Sequence, residues 1–158
     1  MEKPDIVSLL FGANEFQLCP YENLKAEIKK YIEALKKMID SIKEFDKDIK
    51  IIVNLPVCGS DQYAWGNALG CKSSLKQYDY CIKRASEALI EEFDKKENIY
   101  ICPMIAVCDT DAGFPWDYVK SNIYSDKTEI RSSNWVHPSV VGYKQMGDAL
   151  AAVICDIR

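Results

Sequence analysis

The chain has 158 residues, a net charge of −4, 48% hydrophobic and 28% charged residues, and only 7 Gly and 6 Pro, a profile that excludes disordered, fibrous and low-complexity chains. At this length folding buries roughly 68–70% of the unfolded chain's surface, enough for one sizeable core. The acidic balance, with no basic tract or basic-aromatic stripe, argues against a nucleic-acid partner, and the longest apolar runs fall far short of the roughly 18 residues that a membrane span needs.

In chain order, Asp5-Ile-Val-Ser-Leu-Leu-Phe11 is a nearly continuous apolar run closed by Gly12, the pattern of a strand buried on both faces of a parallel sheet. From Tyr21 to about Phe45 the residues Leu24, Ile28, Ile32, Leu35, Ile39 and Ile42 recur at helical spacing, with Pro20 suited to the first turn. Ile49 to Leu55, ended by Pro56, predicts the second strand, and Asn98 to Ile105 the third. Between them a helix from about Ser74 to Lys95 presents Leu75, Tyr78, Ile82, Ala85, Leu89 and Phe93 on one face. A last helix spans about Val140 to Ile154. Two stretches, residues 57–72 and 107–136, remain as long loops, and long loops at strand C-termini are where α/β domains build sites. There is no internal repeat or linker, so residues 1–158 read as one domain.

Seven cysteines (Cys19, Cys58, Cys71, Cys81, Cys102, Cys108, Cys155) include no Cys-x-x-Cys pair and accompany a single histidine, which is neither a zinc-site nor a disulfide-framework signature. Several lie in apolar periodic segments and read as core thiols of a reducing compartment. The N-terminus as given has no export signal, so the expected location is cytoplasmic; a longer form would be free to be secreted. No ligand cluster or Gly-rich phosphate loop calls for a metal or organic cofactor.

Two constellations carry possible chemistry. His137, in Asn134-Trp-Val-His137-Pro-Ser, follows a long loop and precedes the last helix, where a general base can protrude from the sheet edge. Gly12-Ala13-Asn14 follows the first strand, where Gly permits a sharp turn and Asn14 can aim its amide at a developing oxyanion. Taken alone, Gly-x-Asn reads more readily as an ordinary strand-to-helix turn. The stretch Gly59 to Asn67 carries Tyr63 and Trp65, which either line a sugar-binding face or cap the sheet end; Trp116 and Tyr118 pose the same choice.

The order strand-Gly-x-Asn, two further β/α units, then His-Pro-x-x-x-Gly-Tyr before a terminal helix resembles the SGNH hydrolases, the GDSL-type esterases and lipases. The resemblance implies an α/β, flavodoxin-like three-layer α/β/α fold with a parallel sheet. It also implies ester hydrolysis without a cofactor, with Asn14 as oxyanion donor and His137 as general base. Gly12 and Trp135, with Tyr63 and Trp65, are the expected substrate contacts. The family's nucleophile lies in a Gly-Asp-Ser motif after its first strand, and this chain has none: Ser8 and Gly59-Ser60-Asp61 have the wrong place or order. The chain therefore resembles the portion from the family's third strand onward, truncated by roughly two βα units of about thirty residues each.

Asn134 occupies the position of the family's triad aspartate, three before the histidine. An amide there selects the wrong imidazole tautomer, a change worth about 10⁴ in rate in a serine protease. Asp126 and Asp148 read as surface charge. The expected function is an SGNH-like hydrolase of a small acyl, acetyl or carbohydrate ester whose serine comes from elsewhere. The alternatives are an inactive ligand- or carbohydrate-binding derivative, or a truncated gene product. Truncation would leave Ile6 to Phe11 as an apolar edge strand, so a homodimer or a complementing N-terminal segment is the expected partner, besides a small ester or saccharide.

Overall fold

The computed structural model describes residues 3–69 and 74–157, without the side chains of 67–69. Cys71 lies outside the described residues. Chain order is β1 (Ile6–Leu10), α1 (Ala13–Phe16), one 3-10 turn (Tyr21–Asn23), α2 (Leu24–Phe45), β2 (Lys50–Asn54), α3 (Gln62–Leu69) and α4 (Leu75–Phe93). There follow β3 (Ile99–Cys102), α5 (Met104–Val107), β4 (Trp116–Lys120), β5 (Thr128–Ser132) and α6 (Val140–Asp156).

Strands β1, β2 and β3 lie side by side in that order, all parallel, with Val7 opposite Ile51 and Ile51 opposite Ile99. β2 is paired on both sides, and its β-branched Ile51, Ile52 and Val53 are buried. Pleat alternation sends them to opposite cores. Ile49, Ile51, Val53 and Leu55 pack with Tyr31, Leu35 and Ile39 of α2 and with Ile82, Ala85 and Leu89 of α4. Ile52 packs with Met104 of α5, Phe114, and Met146 of α6. Helices thus cover both faces of a parallel sheet, the three-layer α/β arrangement implied by the resemblance.

Helix starts follow capping chemistry. The Ser74 hydroxyl accepts from the Gln77 N–H ahead of α4, and Ser139 accepts from the Val141 and Gly142 N–H groups ahead of α6. Three departures from the sequence expectations matter. β3 stops at Cys102 because Pro103 has no N–H for the ladder, and α5 begins there instead. Asp61 opens α3 by accepting the Ala64 N–H at 2.9 Å, so much of the first long loop is helical. The second long loop contains β4 and β5, an antiparallel hairpin with Tyr118 opposite Ile130. No helix among the described residues is long and apolar enough to cross a membrane.

Candidate active site

In a parallel sheet every strand delivers its C-terminus to the same edge, so the loops after β1, β2 and β3 meet there. Gly12 follows β1 with φ of +119°, a conformation that strains any residue with a Cβ. A Cβ there would also lie 3.1 and 3.2 Å from the ring of Pro56, in the loop after β2. Glycine is what lets the two loops touch. The Gly12 N–H donates to Glu15 Oε2 at 3.0 Å, closing the first turn of α1, and the Phe16 N–H reaches Gly12 O at 3.3 Å. Asn14 is the second residue of α1 and is exposed. It lines a cavity of about 280 Å³ together with Glu15, Gln17, Cys19 and Glu27. From below, the buried Tyr31 hydroxyl donates to Phe11 O at 3.1 Å; burial raises its pKa well above the ordinary tyrosine value, so it stays a neutral donor.

The histidine turn is held by a second set of bonds. The Asn134 side-chain oxygen accepts from the backbone N–H groups of Val136 (3.1 Å) and His137 (2.9 Å). The Asn134 backbone carbonyl accepts the hydroxyls of Ser60 (2.9 Å) and Ser132 (2.8 Å), and the Trp135 carbonyl accepts the Ser60 N–H (3.2 Å). On the far side the Ser139 N–H donates to Gly113 O at 2.8 Å. His137 is exposed, and no carboxylate among the described residues is hydrogen-bonded to its ring. Asn134 therefore shapes the backbone on which His137 stands, and its oxygen is already engaged there.

Gly59-Ser60-Asp61 acquires a definite place. The Ser60 hydroxyl is buried and donates to a carbonyl, so it is a latch between the β2 loop and the histidine turn. Asp61 Oδ2 accepts the Ser132 N–H at 3.1 Å, tying α3 to β5. An Asp three residues ahead of Ala64 and before an apolar aromatic is a helix-cap signal that identifies α3 in hindsight. Asp126 is fully exposed at the hairpin tip, 3.7 Å from Lys120, and Asp148 is exposed on α6.

The expected aromatic contacts divide. Trp65 is 0% exposed and Trp135 7% exposed; their ring centroids lie 4.4 Å apart, and both pack against Tyr78 at 4.9 and 5.8 Å. Against the expectation of substrate contact, these indoles sit inside the domain, because the edge-to-face cluster removes their faces from solvent. Tyr63 is 44% exposed. Trp116 and Tyr118 are outward on the hairpin, 5.5 Å apart. Gly12 is buried and acts through the backbone. Among the described residues, no group of three or more His, Cys, Asp or Glu is placed to hold a metal ion.

The α/β domain thus carries a Gly-x-Asn turn after β1 and a histidine turn latched to the loop after β2. The sequence model of the GDSL-like lipase/acylhydrolase family matches residues 1–150, nearly the whole chain, and the chain belongs to that family. No curated protein and no solved structure matches it.

Proposed function

We propose that this chain supplies the asparagine and histidine of an SGNH-type ester-hydrolase site whose serine arrives on a segment pairing with β1. The observation that supports this reading most is the run of contacts at the sheet edge. Gly12 lies close enough to Pro56 after β2 that a Cβ would crowd its ring, and Ser60 of the same loop holds Asn134 and Trp135, so the Gly-x-Asn turn and the histidine turn both approach one loop. β1 is the sheet's outer strand, with Leu10 and Phe11 exposed, and an uncovered apolar edge is a template for a further strand.

In the proposed reaction the incoming serine Oγ attacks the acyl carbonyl while His137 removes its proton. The Asn14 amide donates to the oxyanion. Collapse expels the alcohol, protonated by His137, and water then releases the acid from the acyl-serine by the same steps. A small acyl or acetyl ester is the proposed substrate, including one on a saccharide that could stack on exposed Tyr63, Trp116 or Tyr118. The second reading is a domain that binds ester or saccharide without turnover. It draws support from Asn134, whose side-chain oxygen is bonded to backbone, and from the His137 ring, which has no hydrogen-bonded carboxylate among the described residues.

The test is fluorophosphonate labelling with mass-spectrometric mapping, on the chain alone and mixed with a polypeptide carrying a Gly-Asp-Ser strand encoded upstream. The expected result is labelling of the added serine in the mixture, lost in His137→Ala. A His137-dependent adduct on a serine of this chain overturns the split site. Silence in every combination overturns hydrolysis, and calorimetry with saccharides then tests the binding reading.

A further inference from the structure

We propose that Asp79 is a positioning residue for the His137 turn, acting through Gly59 and Ser60. The proposal deepens the site reading above and rests on His137 being its working group.

The first turns of α4 grip the loop that follows β2. The Tyr78 hydroxyl donates to Val57 O at 3.3 Å, and the Gly59 N–H donates to Asp79 Oδ1 at 3.0 Å. Gly59 comes so close to the helix that a Cβ would stand 2.6 Å from Leu75 Cδ1 and 3.4 Å from Trp135 O. A side chain there would have to displace the tip of Leu75. The next residue carries the grip onward: the Ser60 N–H reaches Trp135 O and its hydroxyl reaches Asn134 O. Asn134 then receives the His137 N–H. Three hydrogen-bonded steps joined by the covalent chain at Gly59–Ser60 and through Asn134 thus lead from a carboxylate on α4 to the backbone of the chain's single histidine.

A carboxylate on the solvent face of a helix would need no such partners. Asp79 is partly buried, and burial raises its pKa above the ordinary carboxylate range despite the Gly59 N–H, the Cys58 thiol and the charge of Lys83 one turn along α4, all of which act to lower it. The remaining ionisable groups of the cluster are Tyr78 on α4, Cys108 beside Cys58, and Glu15 of α1, which acts on Tyr78. Holding a partly desolvated acid against a backbone N–H costs desolvation free energy, and the cost is offset if the bond fixes a loop that must not drift.

The test uses nuclear magnetic resonance on the intact chain and needs no turnover. Amide exchange at Gly59 and Ser60 and the His137 ring and amide resonances are followed from pH 4 to 8 in wild type, Asp79→Ala and Asp79→Asn. Asp79→Ala is expected to raise exchange at both amides roughly ten- to hundredfold, the worth of a hydrogen bond to a charged acceptor expressed as a rate ratio, and to shift the His137 resonances. Asp79→Asn keeps an oxygen for the Gly59 N–H and is expected to restore both. In wild type the His137 amide is expected to show a step at the Asp79 midpoint, absent from Asp79→Asn and retained in Asp61→Asn.

An Asp79→Ala protein with wild-type exchange and unmoved His137 signals overturns the proposal. So does an Asp79→Asn protein that behaves as the alanine variant, because the effect would then be packing. If the alanine variant does not fold, the wild-type side-chain carboxyl titration of Asp79 decides: a midpoint with no counterpart in the His137 amide curve overturns the coupling. These outcomes stand whatever the fluorophosphonate labelling gives.

Discussion

Two glycines of α6 offer opposite responses to one substitution. A Cβ on Gly142 would lie 2.2 Å from Gly113 O and 2.7 Å from Pro138 Cβ, whereas a Cβ on Gly147 meets nothing within 4 Å. Helix propensity favours Ala over Gly at either place by up to about 1 kcal/mol. At Gly142 the opposing atoms are backbone and a proline ring, neither able to swing aside, so the contact must open by about 1 Å. Overpacking of that kind costs about 3 kcal/mol, and opening it also weakens the Ser139 N–H bond to Gly113 O, worth about 1 kcal/mol. The clash therefore outweighs the propensity gain. Gly142→Ala is expected to lose about 2–3 kcal/mol and roughly 5–10 °C in Tm, while Gly147→Ala gains up to about 1 kcal/mol and roughly 2–3 °C. Thermal and urea unfolding followed by circular dichroism measure both, and the His137 resonances should move in the first variant alone. A Gly142→Ala protein as stable as wild type would refute the reasoning, since it would mean that the start of α6 adjusts freely against the 109–113 loop.

Trp65→Ala removes a fully buried indole from the cluster with Tyr78 and Trp135 and is expected to cost about 3–5 kcal/mol by urea denaturation; a loss under about 1 kcal/mol would place the ring outside the core. Burial beside Asp79 pushes the Cys58 thiol from 9.0 up to about 12, so at pH 8 it holds about a thousandfold less thiolate than an ordinary cysteine. Iodoacetamide at that pH should alkylate exposed Cys155 long before Cys58, as read by peptide mass spectrometry. Asp79, raised in the folded state by burial, binds its proton more tightly folded than unfolded. Its contribution to stability is present below the ordinary carboxylate pKa and is lost as pH rises through the folded value. Asp79→Asn should therefore flatten the stability profile in that window, and an unchanged slope in pH-dependent urea titrations would contradict the assignment.

The elements with strong apolar patterns were legible in the sequence: β2 through the continuous run Ile51, Ile52 and Val53, buried on both faces, and α2 and α4 through their helical stripes. So was the place of Gly-x-Asn at the C-terminal end of β1, because the apolar run ahead of Gly12 marks a strand in an α/β order. The hairpin was not. Along β4 and β5 nearly every side chain is exposed or half-buried, so no inward and outward alternation marks them. The misplaced aromatics have a similar cause. Whether Trp65 faces solvent or core depends on Trp135, seventy positions away, and local pattern holds no trace of that encounter. The same distance hid the latch formed by Ser60, whose partner Asn134 is brought to it only by the return of the chain through the hairpin.

That return has an evolutionary consequence. The chain leaves the body of the domain at Pro115 and re-enters at Ser133, and the Ser133 N–H donates to Pro115 O at 2.9 Å, so the excursion begins and ends at one point. Residues beyond the Trp116 and Ser132 pair are a closed detour, and lengthening or shortening such a detour leaves its two ends where they were. Gly113, which braces α6, and Asn134, which shapes the histidine turn, lie outside the detour on either side. Mutation and insertion can thus remodel the outward Tyr118 and the hairpin tip without moving the turn. The surface that a ligand would meet and the group that would act on it are free to diverge at separate rates.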